Sequence, residues 1–290
     1  MGIVITAATG RLGRLVIGDL LASGVPAAGI TAVVRDKDKA ADLADRGVRL
    51  HVADYDRPES FAGAFGPDDR VLLIPGGDLG RRGAQHAGVI EAAGAAGVGQ
   101  VAYPGVFGGP KADFLLAADH RETEQLILDS GLPYTFLRNN WYSEVYAGDV
   151  GDLPGVVERG AVVTNAAPGS RIATAARADY AAAAAVVLRE DGHLNTAYEL
   201  SGDTAWTFEE FAEEVSRQTG RTVVHASVTP EERRAILVGV GLPEPVAEVY
   251  VDVDLAIGRG LLAGTPGDLS RLIGRPTTPI ARSIAGALAS

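Results

Sequence analysis

The chain has 290 residues, 47% of them apolar and 22% charged, and Lys+Arg 26 against Asp+Glu 37 leaves a formal charge of −11. An acidic balance of this size repels phosphate backbones, so nucleic acid is excluded as a partner, while the length supports a sizeable buried core. Without cysteine there is no disulfide framework and no thiolate metal site; no metal is expected, and the lack of a spanning apolar run or a signal pattern points to a cytoplasmic protein without membrane insertion.

The first strand is read at Ile3, Val4 and Ile5. Small residues with Gly10 and Gly13 follow, and then Leu12, Leu15, Val16, Leu20 and Leu21 recur at helical spacing until Gly24 and Pro26 stop them. Apolar runs at 30–34, 48–54, 71–75, 100–104 and 133–138 read as further strands, with helical patterns between them that include 85–96 and 117–130. Such alternation calls for right-handed crossovers and a parallel sheet covered on both faces, an α/β doubly wound fold of the Rossmann type. From about Ala147 the chain turns repeatedly (148–155), and shorter strands at 161–165, 197–200 and 223–228 mix with amphipathic helices, one of them opened by Thr207 as a cap. The expected organisation is an NADP(H)-binding domain over 1–148 and a smaller, mixed, substrate-capping region over 149–290, with segments returning to the sheet.

A strand, a glycine turn and a helix start bring backbone N–H groups to one point, which makes a dinucleotide site without spending a charged side chain. Its candidate contacts are Thr6, Ala8, Thr9, Gly10, Arg11, Leu12 and Gly13. Ala7 stands where the first glycine of such a turn is usual, an exchange that is tolerable if its φ is negative. The residue ending strand two reads the adenosine ribose; here it is Arg35, with Lys39 soon after, and cations select a 2′-phosphate, so NADP(H) is the expected cofactor. Asp54, at the end of strand three, either accepts from the adenine amino group or caps a helix.

Protonation of a carbonyl oxygen by a tyrosine with a lysine four residues later is excluded, because the only lysines are Lys37, Lys39 and Lys111 and none follows a tyrosine at that spacing. His120 and Glu124 instead lie four apart on one helical face, where an imidazole beside a carboxylate relays a proton near neutral pH or the two form a plain surface pair. A quinone acceptor relaxes the need for an acid. Its reduced anion is far less basic than an alkoxide, so positioning dominates. Asn139, Asn140, Trp141 and Tyr142, leaving strand six, supply amides and flat aromatic surface for that purpose, with structural packing the competing role for Trp141.

The segments 8–13 (ATGRLG), 33–35 (VVR), 53–55 (ADY), 119–124 (DHRETE), 137–144 (LRNNWYSE), 177–181 (RADYA) and 272–278 (LIGRPTT) resemble, in order and spacing, the NmrA-like atypical short-chain dehydrogenases/reductases. Among these the likeness is to the NADPH-dependent quinone oxidoreductases of type 2, and it covers nearly the whole chain. The resemblance implies NADPH bound across the strand ends, with Tyr55, Ile74, Pro75, Gly76 and Tyr103 along it, and two-electron reduction of a quinone or similar small acceptor in a cleft between the domains. At 74–77 and 103–106 this chain departs from relatives that carry serine or threonine hydroxyls near the nicotinamide. Other NmrA-like proteins imply an alternative, a non-catalytic NADP(H)-binding redox sensor acting through a protein partner. A homodimer is compatible with either reading.

Overall fold

In a computed structural model, which describes residues 2–149 and 152–289, the apolar runs become parallel strands. They are β1 (Ile3–Ile5), β2 (Ile30–Val34), β3 (Arg49–Val52), β4 (Arg70–Leu72), β5 (Gln100–Val106) and β6 (Tyr134–Asn139), with α1 (Arg11–Ala22), α2 (Ala41–Asp45), α3 (Arg82–Ala96) and α4 (Leu115–Asp129) between them. Later come α5 (Leu153–Arg159), β7 (Ala161–Thr164), β8 (Arg171–Ile172), α6 (Arg177–Arg189), β9 (Thr196–Leu200), β10 (Trp206–Thr207), α7 (Phe208–Thr219), β11 (Val224–Ser227), α8 (Pro230–Gly239), α9 (Glu244–Gly258), α10 (Asp268–Ile273) and α11 (Ile280–Leu288).

The main sheet has the order β3-β2-β1-β4-β5-β6-β9, and every register from β3 to β6 is parallel. β1, β2 and β5 are buried along their whole length, as strands covered on both faces must be. Chain order reverses between β1 and β4, so the carboxyl ends of these two strands flank the crevice in which open α/β sheets bind ligands. No helix among the described residues is long and apolar enough to cross a membrane.

Two strands end elsewhere than expected. β4 stops at Leu72: the Leu73 N–H still donates to the Ala102 carbonyl of β5, but the Ile74 N–H is diverted to a side chain, Thr6 Oγ1, at 2.9 Å. β5 runs past Pro104 to Val106. Alternate residues of a strand face the same neighbour, so Pro104, like Ala102, turns towards β4, whose last paired residue is Leu72. The missing N–H therefore ends one ladder and spares the other, where Pro104 stays in register with Leu137 of β6.

By compactness the chain divides into residues 1–109, 118–139 and 178–198, and residues 110–117, 140–177 and 199–290. This division leaves the first unit at Asn139, the last residue of β6, and returns to it for most of α6. Within the second unit β7 pairs parallel with β11 and β8 antiparallel with β10. Thr207 caps α7 through a reciprocal box with Glu210, and Tyr146, Trp206 and Phe208 pack edge-to-face, with Phe211 tilted against Trp206, in an aromatic core. Of the turn-rich stretch expected at 148–155, Val150 and Gly151 lie outside the described residues, and Leu153 already opens α5 under the Asp152 cap.

Candidate functional site: a nucleotide cleft and the polar network beneath it

Between β1 and α1 the backbone makes one tight turn, in which the Gly10 N–H donates to the Ala7 carbonyl at 2.9 Å. The first helical bond, Arg14 N–H to the Gly10 carbonyl, lies after the N–H groups of Leu12 and Gly13, and Gly10 as cap residue has no side chain to satisfy them. No acidic side chain stands in the first turn of α1. This helix start therefore offers backbone donors and the positive end of its dipole to an anion. Gly13 packs so closely that an added Cβ would stand 2.8 Å from Ala8 Cα and 2.9 Å from the Ala8 carbonyl oxygen. Ala7 departs from the expected negative φ. It sits at +46°, in the left-handed region, where its methyl is strained.

Beside this turn opens a cleft of about 250 Å³ lined by Ala7, Val33, Arg35, Ala53, Asp54, Tyr55, Asp56, Phe61, Gly76, Gly77, Asp78 and Gln85. Arg35, part of this lining, is exposed and stands one residue beyond β2. Three carboxylates share the wall, and they are largely engaged. Asp56 receives Arg81 at 2.9 Å and the Gln85 amide at 3.0 Å; Asp78 receives the same amide at 3.1 Å. The Asp54 carboxylate accepts the Asp56 N–H at 3.1 Å, closing a local turn. Phe61, Asp56, Asp78 and Gln85 were not legible as cleft residues, because none belongs to a strand end or a glycine turn.

Several expected contacts do other work. Thr6 is wholly buried: its hydroxyl lies 3.1 Å from the Leu72 carbonyl and receives the Ile74 N–H, and the Tyr55 hydroxyl sits 2.6 Å from both Thr6 Oγ1 and the Ile74 carbonyl. Thr6, Tyr55 and Ile74 thus rivet the ends of β1 and β4 below the cleft, and only the Tyr55 side chain reaches its wall. The Ala8 N–H goes to the Val33 carbonyl, so Ala8 supports the turn rather than donating from it. Thr9 offers its carbonyl to Arg14 Nε. Lys39 is exposed and stands outside the cleft lining, and Pro75 is half-buried just before Gly76.

Tyr103 needs correction as a cofactor contact. It sits in the middle of β5, fully buried, with its hydroxyl 2.9 Å from His120 Nδ1. The other imidazole nitrogen meets Arg82 Nη1 at 3.3 Å, and Arg82 Nε donates to the Gly76 carbonyl at 3.0 Å. His86, also buried, bonds through Nδ1 to Thr123 Oγ1 at 2.8 Å. Burial, with Arg82 and then His86 adding to it, holds His120 down at about 3; burial and Arg82 hold His86 at about 4. Both imidazoles are neutral at physiological pH. Burial pushes the Tyr103 hydroxyl well above the usual phenol range.

The pairing of His120 with Glu124 is also corrected. The Glu124 carboxylate faces Arg138 of β6, which grips it through Nε at 3.0 Å and Nη2 at 2.8 Å. The spacing of four put both residues on α4, but the strand beside them supplies a bidentate cation that no helical pattern reveals. Asn139 is buried at the end of β6, where its carbonyl accepts the Phe107 N–H. In the second unit, Asn140 gives its amide to the Leu262 carbonyl at 3.0 Å and accepts the Trp141 N–H at 2.7 Å, which commits it to holding the chain. Trp141 is half-buried and set edge-on against Tyr250, while Arg177 lies 4.9 Å above the Tyr142 ring. The same unit holds Thr164, His225 and Glu209 in a chain of 2.8 and 3.0 Å contacts. Its connectivity is that of a nucleophile with its base, but Thr164 is buried, so the chain ties β7, β11 and α7 together.

A family model described as NAD(P)H-binding matches residues 7–191. Quinone oxidoreductase 2 of Escherichia coli is 42% identical over 97% of each chain, and an NAD(P)H azoreductase of Xenophilus azovorans is 28% identical over 96% of this chain and 95% of its own. Among solved structures, the NADPH complex of the Escherichia coli NADPH-dependent quinone oxidoreductase superposes with a TM-score of 0.94 at 41% identity, covering 99% of both chains. The Citrobacter sp. triphenylmethane reductase complexed with NADP(H) gives 0.93 at 41% identity, over 99% of this chain and 100% of that one. The chain belongs to the NAD(P)H-binding family, and the resemblance read from the sequence is borne out.

Proposed function

We propose that the protein is an NADPH-dependent reductase that delivers a hydride to a quinone or a similar small electron acceptor. The observation that carries this reading is the pairing of a helix start without a side-chain cap, whose turn reaches the cleft through Ala7, with an exposed arginine at the end of β2 in the same lining. These are the two features that a pyrophosphate and a 2′-phosphate require. In this reading Gly10 to Gly13 hold the pyrophosphate, Arg35 holds the ribose phosphate, and the segment from Ile74 to Gly77 borders the bound nucleotide. NADPH supplies the hydride when bound.

The state of the buried groups favours a quinone over a simple ketone. His120 and Tyr103 are neutral and hydrogen-bonded to each other, and both lie far from the pH range in which either would surrender a proton. A quinone needs no such donor, because its reduced anion takes its proton from water. The names of relatives that reduce quinones, triphenylmethane dyes and azo compounds support an acceptor with a conjugated system. Trp141 and Tyr142 are the aromatic surface proposed for it, and Asn139 the amide. His120, Glu124 and Asn140 are reassigned to holding the scaffold. The reading takes the reaction to be cytoplasmic, with the protein acting alone or as a homodimer.

The test mixes purified protein with NADPH or NADH and a panel of benzoquinone, menadione and a triphenylmethane dye, and follows cofactor absorbance. Oxidation of NADPH in preference to NADH is expected with at least one acceptor. Tight NADPH binding without turnover on any of them overturns the reductase reading in favour of a sensor.

A further inference from the structure

Arg82 is 9% exposed, and no carboxylate forms an ion pair with it among the described residues. It meets the Gly76 carbonyl and His120 Nε2. A guanidinium only donates, so His120 must accept at Nε2 and carry its proton at Nδ1, which donates to the Tyr103 hydroxyl. Tyr103 then has its own proton to give, and Thr123, which also acts on Tyr103, has already spent its hydroxyl proton on the Asp119 carbonyl. By the same logic His86 donates from Nδ1 to Thr123. Arg82 therefore fixes the His120 tautomer and with it the direction of the bond to Tyr103, while the Asp119 carbonyl fixes Thr123 and through it His86. Asp119 and Glu124 of α4 and His86 of α3 are the other titratable groups acting on it.

We propose that Arg82 is a positioning residue for nucleotide binding: docked on His120, it holds the Gly76 carbonyl and so sets the wall of the cleft at Gly76 to Asp78. The inference rests on the cleft's taking NADP(H). The reason for a buried cation is geometric. The segment after β4 carries two consecutive glycines, Gly76 and Gly77, and lies beyond the last ladder bond of β4, so the main chain alone does not define its path. A fork of fixed shape, with one arm on the loop and the other on a helix of the core, does define it.

The test measures NADPH affinity by nucleotide fluorescence, together with kcat and KM for menadione, on wild type and four variants. Arg82→Gln is expected to raise the NADPH Kd about tenfold, the loss of one hydrogen bond from a charged donor, with kcat at saturating NADPH within about twofold of wild type. Arg82→Lys, which reaches one partner but not both, is expected to fall between. His120→Leu removes the acceptor and should reproduce the Arg82→Gln affinity, whereas His120→Gln, whose amide accepts from Arg82 and donates to Tyr103, should recover most of it. Should Arg82→Gln not fold, the two His120 variants carry the test alone. An unchanged Kd in Arg82→Gln, or equal affinities for His120→Leu and His120→Gln, overturns the proposal. Failure of wild type to bind NADPH would instead overturn the reading of the cleft.

Discussion

Two stretches of the first unit, the turn of residues 7–13 and the chain of side chains from Arg82 to Tyr103, handle polar groups in opposite ways. The turn carries its polarity on the main chain, at the start of α1, where Gly10 brings no cap and Gly13 no Cβ. The buried chain carries it on side chains that are spent on one another, so that two histidines stay neutral and a tyrosine keeps its proton. A group that is to meet a ligand must have capacity left over. Titratable side chains held by one another look more like an active site, yet here it is the bare backbone at the start of α1 that keeps its donors unspent.

The largest expected effect breaks the turn. Gly13→Val drives its branched side chain against Ala8, 2.8 Å from the position a Cβ would take, and a collision with backbone of that kind costs binding about a hundredfold. Fluorescence titration with NADPH measures this, with thermal unfolding run alongside; unaltered affinity would remove the turn from the site. Arg35→Ala comes next, with NADPH weakened about tenfold and NADH less than about twofold, as expected for one lost charge-assisted contact to a phosphate. Equal weakening of both nucleotides would detach Arg35 from the ribose end.

The buried chain makes stability depend on pH. His120 and His86 are depressed in the folded state, to about 3 and about 4, from 6.5. A base depressed on folding is neutral in the native state while the unfolded chain takes up protons, so stability is complete above about pH 6.5 and falls as the pH drops towards the folded values. Denaturation midpoints should decline between pH 6.5 and 4, and His120→Gln should make that decline shallower. Over the same range the rate of quinone reduction should show no inflection near 6.5 that belongs to His120. Such an inflection, abolished in His120→Gln, would return this imidazole to proton transfer.

The smallest effect sharpens the account of the turn itself. Ala7 holds φ at +46°, so Ala7→Gly should relieve strain and raise stability by about 0.5–1 kcal/mol in urea unfolding, net of the glycine's greater freedom in the unfolded chain. A loss of stability would mean that the methyl, which lines the cleft, contributes more by packing than it costs in backbone strain.

Much of this was legible in the sequence. Short apolar runs separated by helical periodicity determined a parallel doubly wound sheet, because only strands buried on both faces are written that way. Gly10, Gly13 and Arg35 were legible because a turn, a close approach and a strand end are local events. Side-chain roles were not. Glu124 was read beside His120 from their common helix, and only the folded chain brings Arg138 of β6 against that carboxylate. Tyr103 was read at a strand end, and the extension of β5 to Val106 placed it in the middle, under His120. Gln85, Asp56 and Phe61 entered the cleft wall from three separate segments. The residues of the backbone turn lie next to one another in the chain, so sequence alone determined it; the side-chain partners of Arg82, His120, Glu124 and Tyr103 lie 14 to 38 residues away, and only tertiary packing decides which of those partners arrives.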